Sequence, residues 1–186
     1  MNDNVERILA AIAALSEEER AALLARLASE IEYPSSPRAA NPLPFATGDL
    51  EGPADYTLIF DGGSQGNPGP GYGSYALVRK RDEKQTLVRL DFGRLMTNNE
   101  AEYEALIAGL QGLIERIEAM GRSPEDFTVE ARGDSTLVIR QVEGDWKATN
   151  GRMRLLRNQV RELLARFKAH RLVLQGREES VRVLGH

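Results

Sequence analysis

Three acidic positions carry the chemistry that this sequence can do. Asp61 closes the apolar run 56–61 and is followed at once by the supple stretch "GGSQGNPGPG". Asp134 follows a second apolar run, in "EARGDSTLV". A third acid must come from "TNNEAEYEALIAGL", which offers Glu100, Glu102 and Glu104. Carboxylates gathered in one place repel, and each resists ionisation. A bound divalent cation removes that penalty. The chain has no cysteine, and its two histidines are His170 and His186, so thiolate and histidine zinc sites are set aside. Acids without soft ligands suit a hard ion, Mg²⁺ or Mn²⁺. Two such ions a few ångströms apart support in-line phosphoryl chemistry.

Each feature also has a plain structural reading. Asp134 with Ser135 would cap a helix. The glycine-rich stretch would serve as a tight connection. It is not a P-loop, because no Lys-Ser/Thr pair follows it. Trp146 is the single tryptophan, and its polar setting "EGDWKATN" places it at the surface.

The surrounding elements must bring these acids together. Alternation and turn signals predict strands at 56–61, 72–81 and 85–94, the last two joined by the charged turn "RDEK". The spacing of Leu106, Ile107, Leu110, Leu113, Ile114 and Ile117 predicts a long helix over 97–120. A strand at 127–131, a short helix at 134–142, a helix at 151–169 and a strand at 171–174 follow. The order β-β-β-α-β-α-α-β predicts an α/β fold with a mixed five-stranded sheet. The right-handed crossover rule sets the fourth strand parallel to the first and beside it. Asp61 and Asp134 then converge at one edge of the sheet.

Residues 3–32 read as two helices. The second opens at Ser16, with Glu19 placed for a capping box, and carries Leu23, Leu24, Leu27 and Ile31 on one stripe. Such a hairpin is too small to stand alone. It is expected to dock on the main domain, on a protein partner or on a second copy. Residues 33–54 hold five prolines and read as a linker. The chain therefore divides into a hairpin at 1–32, a linker at 33–54 and a main domain at 55–186. No apolar run approaches the ~18 residues of a membrane span, and the start shows no signal-peptide pattern, so a cytoplasmic protein is expected.

The formal charge of −4 lies entirely in residues 1–32, which hold seven acids and three bases. Residues 140–171 hold nine Lys/Arg against three Asp/Glu. That segment could face a polyanion or form a solvated helix.

The blocks "DGGSQGNPGPGYGSYAL", "TNNEAEYEALIAGL", "GDSTLVIRQVEGDWKATN" and "REES", in this order, resemble type 1 ribonuclease H. The resemblance covers residues 55 to about 182. It implies the ribonuclease H-like sheet and an endonuclease that cuts the RNA strand of an RNA–DNA hybrid, with two Mg²⁺ or Mn²⁺ ions. By the resemblance Asp61 is the aspartate that bridges both ions, Glu102 the helix glutamate and Asp134 the second aspartate. Gly62 and Gly63 let the backbone approach the hybrid, where N–H and C=O groups can read the 2′-hydroxyl. Asn67, Asn98 and Asn99 match positions near the minor groove. Trp146 matches an aromatic against the DNA strand, with Lys147 on phosphate.

One position departs from the pattern. The family's fourth acid is an aspartate seven residues after the Arg of its last block, and from Arg177 that count reaches Leu184. No aspartate follows Asp145, and the usual terminal helix is expected to be absent or very short. His186 offers an imidazole and an α-carboxylate two residues further on and is the candidate replacement ligand. Without it, the alternative is a nucleic-acid-binding module with the same fold and weak catalysis.

Overall fold

The computed structural model describes residues 11, 12, 14–16, 19, 50 and 52–185. Most of the predicted hairpin and linker lies outside these residues. Within them, the Ser16 hydroxyl accepts from the Glu19 N–H at 3.2 Å, and the Glu19 carboxylate accepts from the Ser16 N–H at 3.0 Å. This is the reciprocal capping expected at that point. Among the described residues no helix is long and apolar enough to cross a membrane.

Five strands form one mixed sheet in the order β3-β2-β1-β4-β5. They are β1 (Tyr56–Ser64), β2 (Gly69–Arg79), β3 (Lys84–Met96), β4 (Thr128–Gly133) and β5 (Ala169–Leu174). The first three make an antiparallel meander, with Asp61 opposite Ser74. β4 lies parallel to β1 and β5 parallel to β4. The crossover rule therefore gave the placement found. The helices described alongside the sheet are α1 (Asn98–Ala119), α2 (Thr136–Glu143), α3 (Gly151–Leu164) and α4 (Arg177–Leu184).

Side chains alternate across a strand, so β1 feeds two layers. Leu58 and Phe60 enter the main core with Leu106, Leu110, Leu113 and Ile117 of α1. Each such aliphatic burial stabilises by roughly 1.5–3 kcal/mol. Ile59 points the other way and meets Ala76 and Leu184 of α4. Asp61 shares that parity with Ile59. The helix after Asn150 is shorter than expected: it ends at Leu164, Phe167 turns into the core, and β5 begins at Ala169 rather than Arg171. The terminal helix is present but has only eight residues.

Candidate metal centre and substrate face

Local chemistry separates the three acids of α1. Thr97 caps the helix, and its hydroxyl accepts from the Glu100 N–H at 3.3 Å. Glu100 answers by accepting from the Thr97 N–H at 2.8 Å, and it pairs with Arg152 at 3.3 Å. Glu104 is held by Arg94 and by Arg152. Glu102 turns to the sheet instead. Its carboxylate and those of Asp61 and Asp134 place ligand oxygens within 4.8 Å of one another. Asp134 comes free for this cluster because Ser135 takes the capping duty at α2.

Glycine at position 62 makes the approach of α1 feasible. A Cβ there would lie 2.3 Å from the carbonyl carbon and oxygen of Ala101. The helix backbone therefore rests directly on β1, next to Asp61. Asp61 is 7% exposed and Glu102 9%. Burial first, and then the charges of Asp61 and Asp134, push the Glu102 carboxyl up to about 9. Arg177 and the Gly62 N–H act in the opposite direction. Arg177 also approaches Asp134, at 3.8 Å.

The Glu102 Oε2 atom is buried and has no hydrogen-bond partner. A buried carboxylate oxygen left without a donor is costly. Three convergent hard oxygens, one of them unsatisfied, fit a divalent cation. Asp61, Glu102 and Asp134 are the residues that would hold it.

The expected substrate residues fall into separate groups. Gly62 and Gly63 lie inside β1, so the stretch from Gly62 to Gly73 is mostly strand, turning at Gln65–Pro68. Several of its glycines admit the protein's own atoms. A Cβ at Gly69 would strike the Gln65 carbonyl, and one at Gly71 the Met96 side chain. Asn67 and Asn98 join the hairpin tip to α1, because the Asn67 side-chain amide oxygen (Oδ1) accepts from the Asn98 N–H at 3.2 Å. The Asn98 oxygen in turn accepts from the Ser64 N–H at 2.9 Å and from the Ser64 hydroxyl at 2.7 Å. Asn99 is exposed on the first turn of α1. Trp146, 49% exposed, and Lys147 stand on the segment between α2 and α3. His186 lies outside the described residues.

Sequence reading did not single out Ser64, Gln141 or the pairings of the basic segment. Buried Gln141 accepts from the Tyr103 hydroxyl at 2.9 Å and donates to the Lys147 carbonyl at 3.4 Å. It thereby ties α1 to the segment bearing Trp146. A polar residue in an otherwise apolar α2 stripe was the available signal. In the basic segment Arg140, Arg152, Arg166 and Arg171 pair with acids, and Arg161 binds the carbonyls of Val142 and Gln141. Lys147, Arg154, Arg157 and Lys168 have no acid partner among the described residues. The local excess of positive charge is thus narrower at the surface than the count suggests.

The family model described as reverse transcriptase-like matches residues 59–183. Ribonuclease HI of Halobacterium salinarum is 39% identical over 111 residues, covering 58% of this chain and 50% of that protein. The chain thus spans about half the length of that relative. The crystal structure of RNase H1 from the same archaeon has a TM-score of 0.59 to this fold at 35% identity, covering 69% of this chain and 90% of that one. LC11-RNase H1, solved in complex with an RNA/DNA hybrid, has a TM-score of 0.58 at 27% identity, over 69% of this chain and 90% of that one. The sheet order and its flanking helices are those of these ribonuclease H structures, and the chain belongs to the reverse transcriptase-like family of ribonuclease H-type domains.

Proposed function

We propose that this protein is a metal-dependent endoribonuclease that hydrolyses the RNA strand of an RNA–DNA hybrid, leaving 3′-hydroxyl and 5′-phosphate ends. The observation that carries the reading is the carboxylate cluster of Asp61, Glu102 and Asp134, with its buried and unsatisfied Glu102 oxygen. The similarity to LC11-RNase H1, itself solved with an RNA/DNA hybrid, supports the choice of substrate.

Two Mg²⁺ or Mn²⁺ ions bound at these acids would supply a nucleophile at neutral pH and stabilise charge on the scissile phosphate. The chain's own residues do the positioning. Asp61 is fixed by the β1 ladder, and the Gly62 N–H orients the Glu102 carboxylate. Arg177 supplies a positive charge on the solvent side of Asp134. The Ser64–Asn67–Asn98 bonds hold the hairpin tip rigid, so that polar groups of Asn98 and Asn99 meet the minor groove in a fixed pose. Trp146 offers a stacking surface for the DNA strand and Lys147 a phosphate contact. Residues 55–186 form the catalytic unit in this reading.

A second reading, hybrid binding with weak cleavage, draws on one observation. Leu184, where the fourth acid is expected, is fully buried against Ile59 and Ala76. Incubation of the full chain with end-labelled RNA–DNA hybrid in Mg²⁺ or Mn²⁺ separates the two readings. EDTA and Asp61→Asn serve as controls. Cleavage that both controls abolish supports the enzyme. Hybrid retained intact selects the binding module, and neither binding nor cleavage overturns both.

A further inference from the structure

The end of the sheet away from the acids carries a basic, apolar-floored groove. Two adjoining hollows of about 140 and 180 Å³ share Tyr56, Arg79 and Met120. Leu77 and Leu113 floor the first and Phe127 walls the second. Arg79, Lys84 and Arg116 rim one hollow, with Arg81 and Arg122 on the other. Arg79 is occupied by Asp82, and Arg122 by Asp126 at 3.4 Å. Arg116 donates to the Thr86 hydroxyl at 2.7 Å. Arg81, Lys84 and Arg116 therefore make no ion pair among the described residues, and Lys84 feels a nearby acid, Asp82, whose charge is shared with Arg79. Asp55, the one lining acid among the described residues, is held by the N–H and hydroxyl of Thr128, each at 2.8 Å. Met120 is 47% exposed at the centre. Cations that make no ion pair around an apolar floor suit an acidic amphipathic segment.

This chain contains one. Residues 1–32 carry its entire net charge of −4 and an apolar stripe at Leu23, Leu24, Leu27 and Ile31. The tether leaves from the same end of the sheet. The Arg171 guanidinium donates to the carbonyls of Leu50 at 3.0 Å and Gly52 at 3.5 Å. Arg171 is in register with Glu130, and Glu130 with Thr57, next to Tyr56 of the groove. Residues 33–49 can extend to roughly 55 Å at ~3.3 Å per residue, enough to reach it. A tethered segment acts at an effective concentration of about millimolar, so a weak contact suffices. We propose that residues 1–32 of the same chain dock in this groove, carboxylates on Arg81, Lys84 and Arg116 and the leucine stripe against Met120. The inference does not depend on the nuclease reading.

The lysine inventory makes the test direct. The chain has four lysines, Lys80, Lys84, Lys147 and Lys168, and carbodiimide joins a carboxylate to a lysine amine it touches. The full chain is coupled as an equal mixture of ¹⁴N and ¹⁵N protein and its links mapped by mass spectrometry. The expected result is links from acids of residues 1–32 to Lys84 or Lys80, within one isotopic copy. These links should fall at least fivefold in Arg81→Glu, in Arg81→Glu/Arg116→Glu, and in the unmodified chain at 0.5 M salt, where charges are screened beyond ~4 Å. The salt arm needs no variant to fold. Links to Lys147 or Lys168 instead, links between isotopic copies, or no links from residues 1–32 would each overturn the proposal.

Discussion

Gly62 and Ala101 meet backbone to backbone, so closely that any side chain at position 62 would overlap the first turns of α1. The clash would involve the Ala101 carbonyl at 2.3 Å and the Glu102 nitrogen at 2.5 Å, neither of which can swing aside. This contact sets Glu102 beside Asp61. Gly62→Ala is expected to cost about 3 kcal/mol or more, above the usual overpacking range because backbone must move. It should abolish cleavage without touching an acid. Gly176→Ala, where no atom lies within 4 Å of the added Cβ, is the matched control. Urea unfolding and hybrid cleavage of both variants check this. A Gly62→Ala protein with normal stability and activity would remove the glycine's role.

The acid cluster makes stability depend on pH in a defined direction. Glu102 rises from 4.5 to about 9 on folding, through burial and then repulsion by Asp61 and Asp134. A carboxyl with a raised folded pKa holds its proton better when folded. Its penalty is absent below about 4.5 and grows as pH rises toward 9. Glu130 runs the other way. Burial alone would raise it, but Arg171 and Arg132 hold it below its usual value, so its contribution is lost only in acid. In EDTA, stability should therefore fall between pH 5 and pH 9 by an amount on the order of a few kcal/mol, and the melting temperature with it. Glu102→Gln should flatten that slope, and Mg²⁺ or Mn²⁺ should restore stability at pH 8. A flat or rising profile for the unmodified protein would contradict the cluster's electrostatics.

The same geometry ranks the helix acids in catalysis. Asp61→Asn, Glu102→Gln and Asp134→Asn are each expected to lower kcat by at least 100-fold, since each removes an oxygen from a site meant to stabilise the transition state by several kcal/mol. Glu100→Gln loses part of a cap and of an ion pair, which costs about 1 kcal/mol of stability and leaves cleavage nearly intact. Glu104→Gln should behave alike. Single-turnover assays at saturating metal separate the groups. Equal losses across all five variants would mean that the distinction among the α1 acids is wrong.

Much of this architecture was legible in the residues. Apolar spacing along α1 was a strong signal, and the crossover rule alone sets the fourth strand beside the first and so brings Asp134 to Asp61. Periodicity could not choose among Glu100, Glu102 and Glu104. That choice depends on tertiary partners, Thr97 for one and Arg94 with Arg152 for another. The glycines between 62 and 73 were also harder to read. Their type announces a close approach, but not whether the approaching atoms belong to a ligand or, as at Gly62, Gly69 and Gly71, to the protein itself. Leu184 shows the reverse limit. Its apolar type excluded a ligand, and only packing shows what it does instead.

On the substrate face, Trp146→Ala is expected to weaken hybrid binding by roughly 1–3 kcal/mol, the scale of a lost aromatic–base contact. Gln141→Leu should give a smaller loss of the same kind, because it frees the Lys147 carbonyl and the Tyr103 hydroxyl. Both variants should bind metal normally. Affinity should also fall with salt. The slope should be modest, since Lys147, Arg154, Arg157 and Lys168 are the cations of this segment without acid partners among the described residues. Fluorescence anisotropy over a salt series measures both effects. Salt-insensitive binding, or normal affinity in Trp146→Ala, would move the hybrid to another face.

Leu184 decides what became of the fourth acid position. It is fully buried, meets Ile59 and Ala76, and with Ser180 forms the inner face of the eight-residue α4. Ile59 shares a sheet face with Asp61, and Leu184 is committed to the apolar contact with Ile59 on that face. Restoring the family's acid with Leu184→Asp should therefore fail as a repair. It removes about 1.5–3 kcal/mol of burial and sets a carboxylate among apolar side chains, where it must stay neutral or pull α4 away. We expect a loss of about 3–5 kcal/mol in stability, on the scale of a buried unpaired charge, with no gain in metal affinity or cleavage. Leu184→Met keeps the volume and should cost less than about 1.5 kcal/mol. Urea unfolding, calorimetric Mn²⁺ titration and hybrid cleavage on the two variants give the answer. A Leu184→Asp protein that folds normally and binds Mn²⁺ more tightly would show that α4 can turn this residue to the metal centre.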